Sequence, residues 1–203
     1  MGTIVGTHET LWYNNRTVEV FRGVPYAKPP VGALRFRETE IIERFSGRLL
    51  NASEYPPACI QIYSNITQSE DCLYLNIWRP IVRRGKLPVI VLIYGGAFIV
   101  GHSQSPSYSG LPLSALHDVI VVNFNYRLGA FGFSDMSEII NIPGNQGFLD
   151  QRLAMRWVKE YITDFDGDEN DITVMGCSAG AMGVSYHLRS PQSQHLFSVG
   201  CPS

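Results

Sequence analysis

Gly176-Cys177-Ser178-Ala179-Gly180 is the stretch of this chain best able to do chemistry. A serine hydroxyl is a weak nucleophile unless it is exposed, held in position and paired with a base. Ile172, Thr173 and Val174 are β-branched and read as a strand, with Asp171 punctuating its entry. Small residues and a helical run lead out from Ala179 to Leu188. A strand that turns sharply into a helix at a serine leaves the hydroxyl exposed. Glycines on either side remove side chains where the two backbones nearly touch. Gly-x-Ser-x-Gly alone is a weak pattern in a chain with 19 glycines, so the strand before it and the helix after it carry the weight.

The remaining chain must position that serine. Thr3–Thr7 and Thr17–Phe21 read as short strands, with the polar turn Tyr13-Asn14-Asn15-Arg16 between them. Proline and glycine between Phe21 and Phe36 predict ordered irregular chain. Residues 37–71 are mixed and polar, and Leu73–Trp78 alternates as a strand. Val89–Tyr94 and Val119–Phe124 are continuous apolar runs, as expected of strands buried on both faces. The first ends in Gly95-Gly96-Ala97-Phe98, a tight strand exit. Leu113–His117 fits a helical turn, and the apolar spacing from Phe148 to Tyr161 predicts an amphipathic helix over Gly147–Thr163. An acidic loop, Asp164–Asp171, then feeds the strand before Ser178. Strand, crossover, strand, helix, strand is the order of an α/β protein with a mostly parallel twisted sheet.

With 203 residues, 45% of them apolar, the chain can bury one domain's core. A net charge of −2 argues against a nucleic-acid partner. No apolar run approaches transmembrane length, and no signal peptide is visible at the start. Asp164, Asp166 and Asp168 mimic the start of a calcium loop. The required glycine is misplaced and the closing glutamate is missing, so no metal is expected. No cofactor is implied. Cys59 and Cys72 either stay reduced or close a short disulfide loop. Sequons at Asn15, Asn51 and Asn65 are mild support for a secreted or ER-lumenal protein and possible N-glycosylation.

Several stretches, in this order, resemble the type-B carboxylesterase family, the cholinesterase-like branch of the α/β-hydrolases. They are Phe21-Arg22-Gly23-Val24-Pro25-Tyr26-Ala27, Leu34-Arg35-Phe36, Ser69 to Ile77, Ile93 to Phe98, Asn125 to Gly132, Gly144-Asn145-Gln146-Gly147 and the Ser178 turn. The resemblance implies an α/β-hydrolase fold and a serine hydrolase of carboxylic esters working through an acyl-serine. Ser178 would be the nucleophile. The N–H groups of Gly96, Ala97 and Ala179 would form the oxyanion hole. It also implies a Cys59–Cys72 disulfide and structural ion pairs of Arg35 with Glu70 and of Arg127 with Asp168. Cys177 stands where relatives often carry an acidic or amide residue. The Ile60–Asp71 interval lacks the tryptophan with which cholinesterases bind choline, so an uncharged ester is the expected substrate.

The family's acidic and histidine triad members lie well beyond the elbow, so residues 1–198 are expected to be an incomplete domain, truncated after the elbow helix. Residues 199–203 match nothing in the resemblance. A truncated chain would be a poor esterase, and the strand Ile172–Met175 would lack its next neighbour and present a bare apolar edge. Of the local histidines, His187 lies nine residues past Ser178, about 13 Å along a helix. His195 is further on, and His8 and His117 read as surface residues. Only His102 falls near the glycine loop. The alternative to an enzyme is a non-catalytic, cholinesterase-like binding or adhesion protein, or a truncated product without function. Such binding relatives usually lose the serine, and Ser178 is present.

Overall fold

The computed structural model describes residues 2–42, 49–62, 65–81, 85–140, 142 and 144–202. Parts of the polar 37–71 stretch (43–48, 63 and 64) and Ser203 of the expected tail lie outside these residues.

In chain order the strands are β1 (Thr3–Val5), β2 (Thr7–Leu11), β3 (Arg16–Pro25), β4 (Leu49–Asn51), β5 (Ala58–Cys59) and β6 (Gln68–Ser69), then β7 (Tyr74–Pro80), β8 (Leu87–Ile93), β9 (Ile120–Phe124), β10 (Gly167–Gly176) and β11 (Val199–Pro202). The helices are α1 (Leu111–His117), α2 (Gly129–Phe133), α3 (Ser137–Ile140), α4 (Gln146–Tyr161) and α5 (Ala179–Arg189). Seven strands form the central sheet in the order β11-β10-β8-β9-β7-β3-β2. Its N-terminal half is antiparallel: β2 pairs β3, β3 pairs β7 and β7 pairs β9. The half that follows is parallel, β9-β8-β10-β11.

The chain leaves β8 for β9 on one side and then enters β10 on the other. That reversal is a topological switch point, where loops at the strand carboxyl ends diverge and leave a crevice. The Gly95-Gly96 exit from β8 and the Ser178 turn after β10 both lie at this end.

Burial follows the apolar pattern. All five residues of β9 are buried, whereas β8 alternates, with Val89, Val91 and Ile93 in the main core and Ile90 and Leu92 half-covered. Leu92 joins a smaller cluster around Trp78, Val121 and Ala115 of α1. The main core gathers Val174, Val184, Trp157 and Met155 with β8 and β9. The amphipathic segment forms α4 as expected, though it ends at Tyr161 and passes into a 3₁₀ turn, Ile162–Phe165. Several boundaries differ from the sequence reading. The expected strand Thr3–Thr7 gives β1, Thr3–Val5, which pairs β4, and the partner of β3 is β2, Thr7–Leu11. β3 runs on to Pro25 instead of ending at Phe21, because Val24 and Pro25 still pair with Leu75 and Tyr74. Much of the acidic loop is strand: β10 begins at Gly167, with an irregularity against β8 between Gly167 and Ile172.

The expected bare edge beside Ile172–Met175 is corrected. Val199, Gly200, Cys201 and Pro202 pair in parallel with Thr173, Val174, Met175 and Gly176, so the last described residues form a seventh strand. Ser198 N–H donates to Ile172 O at 2.7 Å and starts that pairing.

Candidate active site

Ser178 sits between the end of β10 at Gly176 and the start of α5 at Ala179. Its backbone has φ 54° and ψ −119°. A serine held there costs on the order of 1–3 kcal/mol, so the surroundings must enforce it. They do so by backbone contact. A Cβ on Gly180 would lie 2.1 Å from Ile93 O, so only glycine lets the first turn of α5 press on the end of β8. A Cβ on Gly95 would lie 2.5 Å from Cys177 O and 3.1 Å from the Ser178 Cβ. The exit loop of β8 therefore packs directly on the serine turn. Hydrogen bonds from Gly180 N–H to Cys177 O (2.8 Å) and from Met182 N–H to Ser178 O (3.0 Å) close the turn into the helix. The Ser178 side is exposed.

The glycine loop is equally constrained. Gly96, Ala97 and Phe98 all have positive φ, 121°, 53° and 62°. Ile99 and Val100 N–H both donate to Gly96 O at 3.0 Å, and Gly95 N–H donates to the Tyr108 hydroxyl at 2.9 Å. Among the described residues, no protein acceptor takes the N–H of Gly96, Ala97 or Ala179. Three free amides beside an exposed serine, with the positive end of α5 behind them, suit an oxygen that gains negative charge.

The disulfide supports this loop from outside. Cys59 and Cys72 are bonded, with Cα atoms 5.0 Å apart. Two residues on, Gln61 grips Gly101: its Oε1 accepts from Gly101 N–H at 2.8 Å and its Nε2 donates to Gly101 O at 2.9 Å. Arg35 and Glu70 pair through two hydrogen bonds, 2.5 and 2.6 Å.

The expected pairing of Arg127 with Asp168 is corrected. Arg127 makes a bidentate pair with Asp150 of α4, both bonds 2.8 Å, and its own N–H donates to the same carboxylate at 3.0 Å. Its remaining donors reach Arg37 O at 2.9 Å and the Thr39 hydroxyl at 3.0 Å; that hydroxyl also donates to Asp150. Burial opposes the Arg127 charge, and the Asp150 carboxylate outweighs it and raises the guanidinium pKa. Asp168 was out of reach for a topological reason. Arg127 follows the carboxyl end of β9, Asp168 opens β10, and these strands run in parallel through β8. The two residues therefore lie at opposite ends of the sheet. The Asp168 carboxylate instead accepts from Asn170 N–H at 2.9 Å.

Two buried polar networks were not read from the sequence, although it drew attention to His187 itself as a candidate base. Asn76, Asn123, Asn125 and Ser103 form a buried amide network, in which Asn76 Nδ2 donates to Asn123 Oδ1 at 2.8 Å and Ser103 N–H to Asn125 Oδ1 at 2.9 Å. Asparagine inside the apolar run before Phe124 was the available signal. The second is His187, fully buried, with Nδ1 3.0 Å from the Ser193 hydroxyl and Nε2 3.1 Å from Gln151 Oε1. Burial, then the nearby Arg152 charge, pushes its pKa down to about 3. It is committed to the inner face of α5. Burial also lowers the pKa of His102, but no hydrogen bond links it to Ser178. His8, His117 and His195 are exposed, as expected for the first two. Among the described residues, nothing hydrogen-bonds the Ser178 hydroxyl, and no cluster of side chains could hold a metal ion.

A sheet with this switch point, a serine at a strained strand-to-helix turn and a glycine loop packed on it define an α/β-hydrolase. The comparisons narrow this. The pattern of the carboxylesterase family matches residues 1–200. The chain is 42% identical to the cholinesterase of Mus musculus over 198 residues, covering 89% of this chain and 32% of that protein. It is 41% identical to liver carboxylesterase 1 of Oryctolagus cuniculus, covering 97% of this chain and 37% of that protein. A solved structure, a thermophylic PNB esterase, superposes with a TM-score of 0.89 at 41% identity over 98% of this chain and 42% of that one. The chain belongs to the carboxylesterase family, and it spans about a third of the length of the curated relatives it matches.

Proposed function

We propose that this chain carries the nucleophile and oxyanion hole of a carboxylic ester hydrolase. The observation that carries the reading is the contact of the Gly95–Ala97 loop with Ser178, which sets free amides beside a strained, exposed serine. Ser178 Oγ attacks the ester carbonyl carbon, and its proton passes to a base. The carbonyl oxygen becomes an oxyanion facing the N–H groups of Gly96, Ala97 and Ala179. The C–O bond to the alcohol then breaks, the alcohol leaves with the proton, and water hydrolyses the acyl-Ser178. Each oxyanion donor is worth about 3 kcal/mol in the transition state. The resemblance places the base, a histidine, and its acidic partner beyond the elbow helix, and among the described residues no histidine hydrogen-bonds the Ser178 hydroxyl. Uncharged esters are the preferred class, because the Ile60–Asp71 interval offers no indole for a quaternary ammonium group. A disulfide and three exposed sequon asparagines support a secretory compartment.

The test is organophosphate labelling of the full natural chain, followed by peptide mapping. Labelling on Ser178, abolished by Ser178→Ala along with turnover of p-nitrophenyl butyrate, is the expected result. Label retained in the alanine variant ends the proposal. Faster turnover of butyrylthiocholine than of the uncharged ester would overturn the substrate class alone.

A further inference from the structure

The hairpin between β2 and β3 ends in an exposed aromatic pair that the catalytic reading does not use. Trp12 is 86% exposed and Tyr13 53%, with rings 5.3 Å apart at 82°, so the edge of one braces the other. The hairpin itself is firmly seated. Leu11 is buried in the cluster of Val18, Val20 and Trp78, and Arg16 Nη1 donates to Ala115 O at 3.0 Å. An indole left in water at the tip of an ordered hairpin lacks the packing that would repay its exposure.

The sequence supplies an occupant three residues on. Asn15-Arg16-Thr17 is a sequon, and Asn15 is exposed in a left-handed conformation, φ 55°. Leu11 O accepts from Asn14 N–H at 3.3 Å and Asn15 N–H at 3.0 Å, closing a four-residue loop. Trp12 and Asn15 are the first and last residues of that loop, next to the paired Leu11 and Arg16 that close it. A sugar on Asn15 Nδ2 would leave the far end of the same four-residue loop whose near end carries the exposed Trp12 indole.

We propose that Asn15 carries an N-linked glycan whose first N-acetylglucosamine packs its C–H face on Trp12, braced by Tyr13. The amide nitrogen of Asn15 attacks C1 of a lipid-linked diphospho-oligosaccharide. The N–C1 bond forms, the bond from C1 to the diphosphate oxygen breaks, the amide loses one proton, and the lipid diphosphate leaves. Thr17 supplies the sequon hydroxyl; it already lies 2.8 Å from the Thr10 hydroxyl on the strand pair below. The glycan then shields the tip and stiffens the hairpin that edges the sheet.

The experiment expresses the full natural chain in a secretory host making high-mannose glycans, trimmed by endoglycosidase to a single sugar. Glycopeptide mass spectrometry should find Asn15 occupied, occupancy lost in Thr17→Ala and kept in Thr17→Ser. The single-sugar glycoform should melt about 2–4 °C above Asn15→Gln, and this difference should vanish in a Trp12→Ala background. Acrylamide quenching of tryptophan should fall on glycosylation only when Trp12 is present. An unmodified Asn15 in secreted protein, or an equal thermal gain with and without Trp12, overturns the proposal. So does Trp12-dependent capture by phosphatidylcholine vesicles that is indifferent to the glycan, since the indole would then serve a membrane.

Discussion

His187 titrates in a way that the elbow helix imposes on it. It faces Ser193 and Gln151 inside the protein, with Arg152 as the charged neighbour, and its pKa lies near 3 instead of its ordinary value of about 6.5. Above pH 6.5 the ring is neutral in both folded and unfolded chains and gives stability no pH dependence. As pH falls, the unfolded chain takes up a proton that the native protein refuses, so stability is lost from pH 6.5 downward. The loss reaches about 2 kcal/mol by pH 5. Urea unfolding at pH 7 and pH 5 should therefore show a steeper fall for the natural protein than for His187→Gln; parallel losses would remove the claim. The Ser178 turn was legible in the sequence and the buried surroundings of His187 were not, for the same physical reason. The serine turn is written locally, in β-branched residues, two glycines and a helical run that all concern one short segment. The environment of His187 depends on Gln151, 36 residues earlier, which reaches it only once α4 and α5 have packed.

At the scale of elements, buried ion pairs join loops to helices that sequence spacing does not connect. The Arg127–Asp150 pair ties the chain leaving β9 to the first turns of α4 and to residues 37–39. Both side chains are almost fully buried, so neither can regain water if the other is lost. Asp150→Asn should destabilise the fold by about 3–5 kcal/mol. Replacing both residues, Arg127→Met with Asp150→Leu, should cost less than the single change, because no uncompensated charge then remains. Chemical denaturation of the three proteins reads this, and a double variant no better than Asp150→Asn would refute it. The strands were legible where composition is one-sided, as in Ile120–Phe124, whose residues are all buried. Val199–Pro202 was not, because a glycine, a cysteine and a proline have weak strand preference. What makes it a strand is the exposed edge of β10 beside it, which takes four residues in parallel register.

For the whole molecule, the sheet has β2 at one edge and the short β11 at the other. The β11 side exposes a row of apolar residues, Val199, Leu188, Tyr186 and Met182, along β11 and α5. An apolar edge of this kind invites association with another chain. The same segment carries Ser178, the proposed nucleophile, with no hydrogen-bonded base among the described residues. A serine hydroxyl with its oxyanion donors but no base retains only about 10³–10⁴-fold acceleration over water. Residues 1–203 expressed by themselves should therefore associate, and should hydrolyse p-nitrophenyl butyrate only at that residual level. The disulfide should nonetheless form in an oxidising host, since β5 and β6, which adjoin its cysteines, pair with each other and Gln61 holds Gly101 locally. Size-exclusion chromatography beside an esterase assay with a Ser178→Ala control makes the measurement. A monodisperse monomer with Ser178-dependent turnover near that of a full-length relative would contradict both parts. It would point to His102, the half-buried histidine that follows the glycine loop, as the base.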